Sequence, residues 1–143
     1  MFLYLDKAKF NKDIDLFSFD EIIICPSNPY VSINPMLQLS SLQNHLKKFP
    51  EKVTVISPIV NSKSLKGPTA KMMLELGHEI SVNTIGEFYK NYSQRIFIDN
   101  ADKENSDFLA GVGYEVHYSN LVMNNAVSKN KLAENIIKVL EAK

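Results

Sequence analysis

Cysteine is nearly absent from this sequence: Cys25 is the only one among 143 residues. A single thiol excludes an internal disulfide and any multi-cysteine metal cluster. Its setting after Ile22, Ile23 and Ile24 reads as a buried strand, so Cys25 is expected to be a small core residue in a reducing compartment. An excess of charge is missing too. Sixteen Lys and Arg balance sixteen Asp and Glu, for a formal net charge of zero. A neutral chain has no global field to draw in phosphate backbones, which argues against a nucleic-acid or membrane-surface binder but leaves room for a local anion site. No apolar run approaches the roughly 20 residues of a membrane span. The first ten residues carry Asp6 and lack the apolar core of a secretory signal. The expected location is the cytoplasm. No G-x-G-x-x-G, Walker or G-x-S-x-G pattern occurs. His45, His78 and His117 lack metal-ligand spacing, and His45 is expected on a helix surface.

What is present is an ordinary globular balance, 45% apolar and 22% charged. Short β-branched runs alternate with helical patterns. Strands are expected at 21–25, 53–57, 95–99 and 115–119, with weaker candidates at 2–5 and 80–82. Helices are expected at 35–49, 68–76, 84–92, 103–110 and 129–141. Met36, Leu39, Leu42 and Leu46 would form the inner face of the first helix, and Thr84 with Glu87 has capping-box spacing. Strand–helix alternation predicts an α/β fold with a mostly parallel sheet between helical layers. Residues 7–15 are charged and weakly patterned, as if the chain joined its fold partway through.

In open α/β sheets, ligands collect beyond the carboxyl ends of the strands. The polar residues just after each expected strand are therefore the candidates. After the first come Ser27, Asn28, Ser32 and Asn34. Asn34 before Pro35 has the form of a helix start, an N-cap followed by proline at the first position. A helix start offers free N–H groups suited to phosphate. The other reading is a capped turn whose polar groups satisfy only their own backbone. After the second strand come Ser57 and then Lys66-Gly67-Pro68, with Lys71 nearby. A lysine here is either a point charge for a phosphate or a solvated side chain. After the third come Asp99 and Asp102, which suit a metal, a sugar hydroxyl or a base edge, and equally suit capping of the next helix.

Several runs resemble the 2-phospho-L-lactate transferase family (CofD-like). They are residues 22–35 with the pattern SNPxVSIxP, Val55-Ile56-Ser57-Pro58-Ile59-Val60, the run KGPxxKMM at 66–73, Phe97-Ile98-Asp99-Asn100-Ala101-Asp102 and Leu121-Val122-Met123. The likeness extends over about residues 14–142. It implies a Rossmann-like fold of three layers. It also implies transfer of a 2-phospho-L-lactyl or phosphoenolpyruvyl group from a GDP-activated donor to the deazaflavin alcohol Fo, with release of GMP, in coenzyme F-420 biosynthesis. On this reading Ser27, Asn28, Ser32, Asn34 and Ser57 hold phosphate or acceptor hydroxyls, Lys66 and Gly67 lie beside the donor, and Asp99 and Asp102 lie near the acceptor. The catalytic residue is not identified. The family's Gly-rich opening loop and its acidic N-T-G-D-D-type segment do not occur here. The resemblance therefore implies that residues 1–143 are the C-terminal half of a larger domain, with 1–13 the tail of the first half. Magnesium is expected, with its ligands in that first half rather than in this chain. A homodimer, or a complex with the other half, is the expected assembly. The alternative is a non-catalytic phosphate- or nucleotide-binding module, as in the related gluconeogenesis-factor-like proteins, or a truncated fragment.

Overall fold

The computed structural model describes residues 7–142. The strand expected at 2–5 lies outside them. Four strands form one parallel sheet: β1 (Ile22–Ile24), β2 (Val53–Ile56), β5 (Arg95–Asp99) and β6 (Glu115–Ser119), in the order β1-β2-β5-β6. Ile22 lies opposite Val53, Val55 opposite Ile96, and Phe97 opposite His117. β2 and β5 are buried at every position, as near-continuous apolar runs should be in the middle of a parallel sheet.

Helices cover both faces. One face packs Ile24, Val53, Val55, Ile96 and Ile98 against α2 (Ser40–Lys48), α3 (Thr69–Glu75), α4 (Val82–Tyr89) and α5 (Ser106–Val112). The other packs Ile56 and Phe97 against Leu132 and Ile136 of α6 (Ala126–Glu141). The three-layer Rossmann-like expectation therefore holds. Lower on that second face, buried Arg95 donates to Thr54 Oγ1 (3.0 Å) and pairs with Glu21 (2.5 Å), so one guanidinium bridges β5, β2 and the residue before β1. No helix among the described residues is long and apolar enough to cross a membrane.

Several local expectations need correction. The helix expected at 35–49 is two helices, α1 (Asn34–Leu37) and α2, preceded by a wide turn over Pro29–Ile33. Asn34 is not the cap. Its N–H already bonds to Pro29 O, and the capping side chain is Asn28. The early start rotates the helical face, so Leu37 is buried and Met36 is 46% exposed. Leu39 breaks the helix by turning extended, and Gln43 Nε2 satisfies the freed Leu37 carbonyl (3.0 Å). Residues 80–82 form no strand. Ser81 caps α4 by accepting from Thr84 N, displacing the expected Thr84–Glu87 box. Cys25 falls just past β1 and is exposed rather than a core residue. His45 is buried at 6% exposure, not on a surface, because the rings of Phe17 and Phe49 close over it. An unforeseen hairpin joins β3 (Ile59–Val60) to β4 (Lys63–Ser64) through Asn61 (φ 48°) and Ser62 (φ 55°). Two consecutive positive φ values are the mark of a tight type I′ turn.

Gly86 lies in α4 where a Cβ would meet Leu109 Cδ2 of α5 at 2.4 Å, and its carbonyl accepts from Tyr114 Oη (2.8 Å). Gly86→Ala is expected to cost about 1–3 kcal/mol, the usual penalty of overpacking, read as a lower urea midpoint. Neither ring nitrogen of His45 has a hydrogen-bond partner among the described residues. Burial, reinforced by Lys52 and Lys48 against the opposing pull of Asp15, holds its imidazole below the ordinary value. The folded chain therefore resists a proton that the unfolded chain accepts near pH ~6.5. Stability should be complete above that pH and decline below it. His45→Leu should flatten the decline, as measured by thermal melts across pH.

Candidate functional site

Parallel strands end on one edge, so the segments after β1, β2, β5 and β6 share it. Those after β1, β2 and β6 line a cleft of about 120 Å³, with Pro26, Leu65, Lys66 and residues 121–124 as its walls. Lys66 is exposed and has no ion-pair partner among the described residues. The backbone reverses beside it at Gly67 (φ 68°), whose carbonyl accepts from Ser64 Oγ (3.2 Å). A side chain at this left-handed position would be strained, so the lysine depends on its glycine neighbour for placement. Lys71, expected nearby, pairs instead with Glu75 on the open surface of α3 (3.7 Å).

The two aspartates hold this edge together. Asp99 ends β5; its Oδ1 accepts from Ala101 N (3.0 Å) and its Oδ2 from Leu121 N (2.8 Å). It thus caps the following turn and fastens the segment that forms one cleft wall. Buried Asp102 accepts from Asn61 N with both oxygens (3.1 and 3.0 Å), clamping the tip of the β3–β4 hairpin that leads into Leu65 and Lys66. Burial pushes the Asp102 carboxyl up; the Asn61 N–H opposes this, and the charges of Asp99 and Glu104 add to the rise. Both carboxylates are spent on backbone N–H groups. Among the described residues, no three His, Cys, Asp or Glu side chains come together as a metal site. The residues present therefore do not fit the magnesium that the resemblance implies.

The remaining candidates divide. Asn28 Oδ1 accepts from Tyr30 N (2.9 Å) and Val31 N (3.2 Å), and its Nδ2 lies 3.3 Å from Met72 Sδ of α3. It caps the wide turn and joins it to the helix after Lys66. Ser57 is fully buried, donating to Ile59 O (2.9 Å) and accepting from Ile59 N (3.1 Å). Asn34 sits inside a helix and accepts from Gln38 Nε2 (3.1 Å). Ser32 is exposed on the wide turn, and Ser27 faces a different groove, along β1. Lys66 is thus brought to the cleft with Gly67 turning the chain beside it, Asn28, Asp99 and Asp102 support the surrounding loops, and Ser27 and Ser32 are not among the cleft residues. Sequence reasoning gave no site role to Thr69, whose buried hydroxyl has no hydrogen-bond partner among the described residues at the start of α3, nor to cleft residues 121–124, of which Leu121-Val122-Met123 entered only through the family likeness. A hydroxyl directly after Gly67-Pro68 was the available signal for Thr69. The 121–124 segment carries no local sign of its place in the cleft beyond that likeness, because Asp99 positions it from 22 residues away.

Comparison with known proteins gives a consistent result. The family described as 2-phospho-L-lactate transferase CofD matches residues 15–142. The 2-phospho-L-lactate transferase of Methanocaldococcus jannaschii is 42% identical over 118 residues, which cover 82% of this chain and 36% of that protein. That of Methanococcus maripaludis is 35% identical over 118 residues, 82% and 37% of the two chains. That of Methanococcoides burtonii is 29% identical over 124 residues, 87% and 40%. The chain spans little more than a third of the length of these curated relatives.

Asp102→Ala should leave the Asn61 N–H unpaired and lower unfolding stability by about 1–3 kcal/mol, with faster amide exchange at the hairpin tip. Lys66→Ala, at an exposed position, should stay within about 0.5 kcal/mol of the parent. Equal losses in the two variants, read by chemical denaturation, would show that the clamp contributes nothing.

Proposed function

The chain belongs to the 2-phospho-L-lactate transferase family, and from that premise we propose that it supplies part of an enzyme passing a 2-phospho-L-lactyl, or related phosphoenolpyruvyl, group from a GDP-activated donor to the deazaflavin alcohol Fo. This is the step that would build coenzyme F-420. The acceptor oxygen attacks the phosphorus that carries the lactyl group, the bridging P–O bond breaks, the alcohol proton is lost, and GMP leaves. In such transfers the protein contributes mainly positioning and charge stabilisation. Lys66 is the group proposed to meet the donor diphosphate, as a point charge at the cleft mouth. Asn28, Asp99 and Asp102 act as positioning residues, since their polar atoms hold the loops. Ser27 and Ser32 are left for acceptor hydroxyls. Ser57 serves the Ile59 backbone, Asn34 is bonded to the Gln38 side chain, and Gly67 allows the turn that presents Lys66. Magnesium has no ligand set among the described residues, and no step here passes through it.

The observation that carries this reading is the family match over residues 15–142. On this reading the complete activity belongs to this chain together with the remainder of the family's fold, since the chain spans 36% and 40% of two of these relatives. A second reading is a nucleotide-binding module without turnover. Calorimetric titration of GDP and of Fo separates the two, run with the chain alone and with a relative's N-terminal portion present. Lys66→Ala should weaken GDP binding roughly tenfold, or about 1.4 kcal/mol, with an unchanged melting temperature. Asn28→Ala should instead lower the melting temperature, because a lost cap costs about 1 kcal/mol. Binding without GMP release when the N-terminal portion is present supports the module. No binding in either arrangement defeats both readings.

A further inference from the structure

α2 presents two neighbouring faces. Leu42 and Leu46 pack into the larger core. Ser41 and His45 each precede one of these residues, so they lie one turn apart on the adjoining face. The segment ahead of β1 runs past that face. With Ser41 and His45 it lines a cavity of about 430 Å³, whose walls include the apolar Phe10, Ile14 and Phe17 and the charged Lys12 and Asp15. A second hollow of about 300 Å³ shares Phe10 and Ser41 with the first and adds Lys9 and Ser40 at the start of α2. Neither shares a residue with the Lys66 cleft.

Three features set the chemistry of this cavity. The first is His45. Its ring lines the cavity although the residue is only 6% exposed, and neither nitrogen has a hydrogen-bond partner among the described residues. Buried polar groups are normally partnered, so an imidazole facing a cavity leaves its bond to an occupant. The start of α2 is the second. Leu39, its cap residue, makes no side-chain cap bond, so the first-turn N–H groups present the positive end of the helix dipole. Charge is the third. Lys9 and Lys12 line the two hollows. Lys52 and Lys48 together act on the imidazole more strongly than Asp15, the carboxylate that lines the first hollow. Asp15 is partly committed, since its Oδ1 accepts from Phe17 N (2.9 Å). The rest of the wall is largely aromatic: the Phe17 ring stands edge-on to His45 at 4.8 Å.

We propose that this flank of α2 is a ligand site for a small organic anion that carries an apolar ring, separate from the Lys66 cleft and independent of the chemistry proposed there. The oxyanion head accepts from the Ser41 hydroxyl, the first-turn N–H groups of α2 and the His45 ring, with Lys9 and Lys12 beside it. The apolar body lies against Phe10 and Phe17. Both parts are needed. A bare inorganic ion leaves the aromatic wall uncovered, and a neutral ring leaves the lysines and the helix start without a counter-charge.

The test titrates the full chain with phenyl phosphate and with benzoate, following the His45 ring by NMR and the affinity by calorimetry. Inorganic phosphate serves as the head alone and benzyl alcohol as the body alone. Saturable shifts of the His45 ring and of the Ser41 and Phe17 amides are expected with at least one of the two anionic probes. Each partial probe should bind roughly tenfold or more weakly than that anion, since it makes only part of the contacts. Lys12→Ala and Ser41→Ala, both at exposed positions, should each weaken binding by roughly threefold and leave the melting temperature unchanged. Lys66→Ala should not change it. An anion beside the imidazole favours its protonated form against the push of Lys52 and Lys48. Benzoate, ionised throughout, should therefore bind more tightly as pH falls from about 8 to about 6, and His45→Leu should remove that dependence. Either partial probe binding as tightly as the anionic probes overturns the proposal. So does binding that Lys66→Ala abolishes, or an unmoved His45 ring. A long-lived water on His45 with no response to any probe gives the imidazole's bond to solvent and overturns it as well. Loss of GDP binding would sink the transferase reading and leave this site standing.

Discussion

A parallel sheet is stable only when both of its faces are kept from water, because its strands are apolar on both sides. That constraint organises this chain. β2 and β5 satisfy it completely, with every residue buried. β1 satisfies it on one face alone, where Ile24 joins the larger core, while Ile23 on the other face stays in contact with solvent. The Arg95–Glu21–Thr54 bridge covers the polar part of that second face, and α6 covers the part over Phe97. Among the described residues, what is left uncovered lies along β1, beside the loop that the family likeness marks most strongly.

Charge at the carboxyl edge is used for structure first. Asp99 and Asp102 have the composition of a metal or sugar site, yet each carboxylate is bonded to backbone N–H groups of a segment distant in sequence. A buried carboxylate left without such partners would be costly, so their commitment follows from their burial. The consequence is a division of labour at the cleft: aspartates fasten its walls, and Lys66 is the free charge at its mouth. An arrangement of this kind can hold an anion in position.

Much of the architecture was legible along the chain. The central strands are short β-branched runs, and β5 and β6 begin and end where expected at 95–99 and 115–119. Gly77 and Gly113 adopt positive φ just after α3 and α5, a conformation glycine reaches without strain. Where reading failed, two residues competed for one job. Asn28 and Asn34 both precede proline, and only the wide turn over Pro29–Ile33 reveals that the first is the cap. Ser81 outcompeted Thr84 in the same way. Cys25 was misplaced because β1 stops one residue earlier than its apolar run, and His45 because Phe17 reaches it from outside its own helix.

The sequence alone therefore determined the alternation of strands and helices and the polar residues that follow the strands, since these are written in nearest-neighbour chemistry and apolar period, while its motif runs carried the family likeness. Only the tertiary structure decided which polar groups are spent and which are free. Hydrogen bonds such as Asp99 to Leu121 and Asp102 to Asn61 join residues 22 and 41 positions apart. No local pattern encodes such a pairing, because it exists only once the strands have been laid side by side.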